Sequence, residues 1–368
     1  GLIEQFTAIV QTLMSGLSSM LPVLIFLLFT GKLGKKGGQQ MEGTPIANEE
    51  LLIMGTAETT EGLDAGEVYT DKGIYLFEGK IDWSPYLYQS VQAVTEGERI
   101  LHINNLLQRE VKLENCLITE NTLENVVIFS EDYQIQLPCK NLTVQLKNEI
   151  ADISIANGSI TKIAAKKERV SAKILSVRPD GIELQGYGVL PMAETFRFYE
   201  IFGTYAEKTA YSLVVGYDQA DFVVAEGKIC AAVLNQPLSI EKIRVLIKTT
   251  EFAEIIHSSV TLKVHGNYRV SYGEQQKTLT SGEIIKLASD SEYLKNERVT
   301  FVPEDSNARM EIQSIQRNYG NPVYAGTIEV SRESGGMVIV NEVDLETYLY
   351  SVVPSEMPAN YELEALKA

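Results

Sequence analysis

The chain has 368 residues, 45% hydrophobic and 22% charged, enough apolar material for two or more cored domains, which excludes wholesale disorder. Lys and Arg total 32 against 49 Asp and Glu, a formal net charge of -17, so counterion release cannot drive binding to phosphate backbones and no nucleic-acid partner is expected. Cys116, Cys139 and Cys230 lie far apart, and His102, His257 and His265 form no H-E-x-x-H pattern, which leaves no local zinc or redox motif.

Taken in chain order, the sequence opens on Gly1 rather than Met, and it ends at Ala368 inside a helix-like run, which reads as a fragment cut at both ends. No charge interrupts the stretch between Glu4 and Lys32, and Leu21 to Phe29 is almost purely apolar, so residues 1–36 read as a membrane-anchoring helix or signal segment that Pro22 only kinks. A buried core helix is the competing reading. Lys32, Lys35 and Lys36 behind the span, against Glu4 in front, would by themselves put the bulk of the chain in the cytoplasm, a count that upstream residues could reverse.

Residues 37–66 read as a linker, because Gly37 to about Thr60 shows no sustained periodicity and matches no phosphate loop. Residues 67–237 read as a β-rich module. Strands are expected over Asn141 to Leu146 and Asp152 to Ile155, with a hairpin turn at Asn157-Gly158. Further turns are expected at Pro179-Asp180-Gly181, Gly186-Tyr187-Gly188 and Glu226-Gly227. The sequons at Asn141 and Asn157 carry little weight, since the second is explained by its turn. Trp83, Tyr86 and Tyr88 read as a core or rim cluster, with an aromatic sugar platform as the alternative. No His, Ser or Asp in this region has catalytic spacing, and presentation of a binding surface is the plain expectation.

Residues 238–368 carry the candidate chemistry. Strand-like runs at Ile243 to Ile247, Val260 to Val264, Val299 to Val302, Tyr324 to Val330 and Met337 to Val340 give way to a helical period at Leu345, Tyr348, Leu349 and Val352. Pro354 and Pro358 then bracket Glu356. Each proline biases the residue before it, Val353 or Met357, away from the α region, which predicts a stiff non-helical turn around Glu356, and Asn360 then caps a new helix from Tyr361. A glutamate among Val352, Val353, Pro354, Met357 and Pro358 suits a general acid, because apolar neighbours favour its protonated form; a surface glutamate in a Pro-rich connection fits the same residues. Glu342, Asp344, Glu346, Glu362 and Glu364 read as solvated or helix-start charges.

Four motifs, Tyr324-x-Gly326-x-Ile328-x-Val330, Val340-Asn341-Glu342-Val343-x-Leu345-Glu346-x-Tyr348-Leu349, Val352-Val353-Pro354-Ser355-Glu356-Met357-Pro358 and Glu364 to Ala368, together resemble the SpoIID/LytB family of sporulation proteins and amidase enhancers. The likeness runs from about Leu238 to Ala368, and Ser351 departs from the glycine usual there. With the membrane-anchoring helix, tether and β-rich module read above, the chain is expected to be α+β and predominantly β, and the resemblance implies that it ends in a partial SpoIID-like domain. It implies a lytic transglycosylase that cuts peptidoglycan glycan strands, with Glu356 as the catalytic acid, Ser355 as a candidate for orienting the sugar, and neither metal nor organic cofactor. The implied substrate lies outside the membrane, so the resemblance puts the bulk of the chain there, tethered to the cell membrane. Two alternatives remain: an amidase-enhancer type of module that works with other cell-wall hydrolases, and a wall-associated assembly protein.

Overall fold

The computed structural model describes residues 45–356, and for residues 351–356 the backbone alone. The described chain is predominantly β, and its α-helix, Leu345–Glu356, comes last. The anchor expected at residues 1–36 lies outside the described residues; among those described, no helix is long and apolar enough to cross a membrane.

The first sheet is a closed barrel in the order Ile46–Thr56, Glu67–Thr70, Gly73–Leu76, Arg99–Leu106, Ser90–Glu96. Its first strand takes Ile46–Thr56 out of the linker expected over residues 37–66; residues 37–44 lie outside the described residues. Leu51 and Ile53 point into the barrel core, while Leu52 and Met54 point into the core shared with the second sheet. A strand buried on both faces has no apolar alternation, so periodicity misses it. Trp83 and Tyr86 pack against the barrel core, edge-on to each other with ring centroids 6.2 Å apart, and Tyr88 joins the neighbouring core. The core reading of these aromatics holds.

The second sheet runs Ser159–Lys166, Glu149–Ala156, Val111–Asn121, Asn125–Ser130, Tyr133–Pro138. Its first hairpin turns at Asn157 and Gly158, whose φ angles of 50° and 79° are the left-handed values that such a two-residue turn demands. The strand expected over Asn141 to Leu146 is absent. The Asn121 side chain ties that segment down instead, donating to the Val144 carbonyl at 2.9 Å and accepting from the Leu146 N–H at 2.6 Å. A third sheet (Arg169–Ser171, Asp221–Ala225, Lys228–Leu234, Met192–Glu200, Ala206–Lys208) packs on the second through Leu117, Phe129, Tyr199, Val223 and Val233. A three-stranded sheet (Ile174–Arg178, Gly181–Leu184, Gly188–Leu190) completes this part, with turns at Pro179-Asp180, Gly186-Tyr187 and Glu226-Gly227 as predicted.

The rest is a sandwich. A six-stranded sheet (Lys242–Ile247, Gly336–Asp344, Thr327–Glu333, Arg298–Pro303, Tyr268–Tyr272, Gln275–Leu279) faces a four-stranded one (Ile284–Leu287, Val260–His265, Arg309–Ile312, Val323–Ala325) across one apolar core. His257 helps fasten the edge strand: its Nε2 lies 2.9 Å from the Ile247 carbonyl, while its backbone bridges to Met337.

Candidate functional site

The helix that carries Glu356 is only as well placed as the strand before it. Gly336–Asp344 alternates, with Met337, Ile339, Asn341 and Val343 turned into the sandwich and Glu342 turned out. The predicted Tyr324 to Val330 strand is broken at Gly326, so that Val323–Ala325 belongs to one sheet and Thr327–Glu333 to the other. Gly326 has φ +82°, and a Cβ there would stand 2.3 Å from the Glu342 carbonyl oxygen. The buried Asn341 amide spans the break, donating to the carbonyls of Ala325 at 2.7 Å and Thr327 at 3.1 Å. Gly326→Ala combines left-handed strain with a backbone clash and is expected to cost about 2 kcal/mol or more of stability, read as a fall in the urea midpoint.

Glu342 is not the solvated charge that the sequence suggested. It is paired with Lys173 and, at 3.0 Å, with Arg244. From there an ion-pair ladder crosses the sheet. Arg244 holds Glu329 at 2.9 Å, Glu329 also meets Arg298, and Arg298 clasps Glu183 through Nη2 at 2.8 Å and Nε at 3.3 Å. Ser176 adds a 2.9 Å bond to Glu183. Arg244 and Glu329 at the centre are 12% and 7% exposed, so the pairs are largely removed from water. Burial alone would push the Glu342 and Glu183 carboxyls up, but the bonds and charges of Lys173 and Arg244 for the one, and Arg298 with Ser176 for the other, hold both below the usual range.

The ladder joins the three-stranded sheet to the strand that leads into the helix. A loop of the same module clasps the edge strand: Tyr217 Oη donates to the Lys242 carbonyl, and Gly216, at φ +98°, lies so close that a Cβ would meet Arg244 Cδ at 1.9 Å. No local motif announces this ladder. Outward positions on an alternating strand look the same whether water or another sheet lies across from them.

The Leu345 N–H donates to the Glu241 carbonyl at 3.0 Å as the helix opens, and Glu346 faces solvent in its first turn. Leu345 and Tyr348 are half-buried, while Leu349 is 42% exposed. The helix then runs through Val353 and Pro354 to Glu356, which corrects the predicted non-helical turn. Pro354 forfeits one hydrogen bond, to the carbonyl of Tyr350, and Tyr350 is an exposed residue where water can take that carbonyl. Glu356 is therefore helical. At 3.6 residues per turn it shares a face with Leu345, Leu349 and Val352, and Ser355 falls on the adjoining flank. The second helix expected from Asn360 and Tyr361 lies outside the described residues.

Among the described residues, no group of three or more His, Cys, Asp or Glu side chains could hold a metal ion.

Residues 333–368 match the model of the SpoIID family, described as stage II sporulation protein. The match takes in the strand Gly336–Asp344, the helix, Ser355 and Glu356; the stretch from Leu238 to Arg332 lies outside it. It gives this end of the chain a cell-wall or sporulation-related role. No curated protein matches the chain.

Proposed function

We propose that Glu356 is the proton-transferring carboxyl of a lytic transglycosylase acting on peptidoglycan glycan strands. The observation that carries this reading is the family match at residues 333–368, which includes Glu356 in a helix whose entering strand is braced by Asn341 and Glu342.

The chemistry needs one carboxyl rather than the usual glycosidase pair, because the substrate supplies its own nucleophile. Protonated Glu356 gives its proton to the oxygen joining N-acetylmuramic acid to N-acetylglucosamine, and that bond breaks. The resulting carboxylate takes the proton of the muramic acid C6 hydroxyl, whose oxygen closes on C1 to give a 1,6-anhydro ring. Ser355, on the flank beside Glu356, would orient the sugar. On this reading the chain from about Lys32 onward lies outside the cytoplasmic membrane, where the glycan is, and residues 1–36 anchor it.

Mass analysis of purified glycan strands after digestion tests the reaction class. Products ending in 1,6-anhydro-N-acetylmuramic acid are expected. Hydrolysed reducing ends would make the enzyme a glycosidase, and an absence of cleavage combined with stimulation of an added amidase would favour an enhancer.

A further inference from the structure

The strand Val111–Asn121 slips register against Glu149–Ala156 between Leu113 and Cys116, and Asn115 sits in that bulge with φ +57° and 1% exposure. Polar atoms buried this far from water need partners, and those of Asn115 have them. Its N–H donates to Asp152 Oδ1 at 3.0 Å, its carbonyl accepts from Tyr199 Oη at 3.0 Å, and its Nδ2 donates to the Thr195 carbonyl and Oγ1, each at 3.0 Å. The side-chain oxygen accepts from Lys166 Nζ at 2.5 Å, and the same Nζ lies 2.7 Å from Asp152 Oδ1. A lysine amine, an asparagine amide and a carboxylate from three adjacent strands thus meet at one point. The Lys166 and Asp152 side chains are 16% and 13% exposed, and the apolar layer of Leu117, Ile150 and Tyr199 lies beside them.

This set contains a nucleophile, an electrophile and a proton carrier held in contact, the arrangement in which a slow bimolecular reaction becomes intramolecular. We propose that Lys166 and Asn115 become joined by an amide bond, an internal isopeptide that the folded chain forms by itself with Asp152 as the proton carrier. Asp152 takes a proton from the Lys166 ammonium, and the freed lone pair attacks Asn115 Cγ. The acid then protonates Nδ2, which the two Thr195 oxygens hold in position, and takes a proton back from the attacking nitrogen. The Cγ–Nδ2 bond breaks and ammonia leaves, carrying away, directly or through water, the proton remaining on Asp152. One C–N bond forms and one breaks, with no oxidant and no cofactor.

Burial pushes the Asp152 carboxyl up, yet the bonds from Lys166, the Asn115 N–H and Lys112 outweigh it and hold the carboxyl below its ordinary value. The first proton transfer is therefore uphill, and the bond forms slowly, once per molecule. A cleft of about 360 Å³ bordered by Lys112, Asn115, Asp152 and Lys166 gives the ammonia a way out. Its departure makes the reaction irreversible.

The test is the mass of the full chain, purified folded and then unfolded for measurement. It should be lower than the sequence mass by one ammonia, and a tryptic digest should contain a branched peptide joining the Asn115 and Lys166 segments, with no cleavage after Lys166. Lys166→Arg keeps the charge but cannot form this bond, and Asp152→Asn removes the proton carrier; both should have the full sequence mass. Succinimide formation at Asn157-Gly158 also loses ammonia, but it would persist in Lys166→Arg and yield no branched peptide. An unsubstituted chain of full sequence mass after long incubation, or an ammonia loss retained in Lys166→Arg, overturns the proposal. The branched peptide of the unsubstituted chain decides the matter even if a variant folds poorly, and it does so whether or not Glu356 cuts glycan.

Discussion

Arg244→Ala is expected to lower the unfolding free energy by about 3–5 kcal/mol, the usual cost of breaking a buried ion pair by removing one partner. The substitution leaves Glu342 and Glu329 facing each other across the outer face of the six-stranded sheet. Lys173 and Arg298 still hold one carboxylate each, but the charge between them is gone. The loss should also have a pH signature. Glu342 and Glu183 titrate below their ordinary values in the folded chain. Their stabilisation is therefore complete above the unfolded glutamate value of about 4.3 and lost as pH falls through the lower folded values. Without Arg244 the folded value of Glu342 rises toward the unfolded one, so part of the acid-sensitive stability should already be missing at pH 7. Urea unfolding at several pH values measures both effects. A loss under about 1 kcal/mol, typical of exposed ion pairs, would mean that the ladder is ornamental. Hydrogen exchange adds a spatial reading: protection in Ile174–Arg178 and Gly181–Leu184 should fall with the substitution, because the ladder docks that hairpin on the sandwich.

Much of the β architecture is legible in local sequence, because a hairpin is a local event. Asn157-Gly158, Pro179-Asp180 and Glu226-Gly227 each turn where turn chemistry requires, and the strands on either side follow. What is illegible is decided across space. Leu51 to Met54 is a strand because two different cores take its two faces, and a sequence window sees only an apolar run after a polar stretch. Asn141 to Leu146 alternates like a strand, yet the Asn121 amide claims its backbone groups before a ladder can. Tyr324 to Val330 reads as continuous because nothing local says that Gly326 must pass against the Glu342 carbonyl.

The candidate site divides in the same way. Glu356 stands out because two prolines flank it, but the turn inferred from them is not there, since one lost hydrogen bond on an exposed face is too small a penalty to end the helix. Asn341 and Glu342, which as bare sequence look like a polar interruption and a solvated charge, brace the strand that leads into that helix. One pins the break at Gly326 from inside the sandwich, and the other ties the outer face to the neighbouring module. Both residues belong to the segment that matches the family, and that segment includes much of the helix's support as well as Glu356.

Glu356→Gln should abolish formation of 1,6-anhydro ends, with a rate loss on the order of 10²-fold or more, while leaving folding and glycan binding in place. Glutamine keeps the length and the hydrogen-bonding capacity of the side chain, so contacts that only bind the sugar survive. It has no proton to give at neutral pH and no basic oxygen strong enough to take one from the C6 hydroxyl. Both halves of the proposed reaction therefore fail together, and no intermediate should accumulate. Glu346→Gln is the matched control: it lies ten residues earlier in the same helix, in the exposed first turn, and should leave the rate unchanged. Equal activity in the two variants would move the acid to another residue. Loss in both would point to a requirement for helix charge rather than for a proton at Glu356. If Glu356→Gln alone is silent and still binds the glycan, the braced strand, the helix and the carboxyl it carries act as one proton-transfer device.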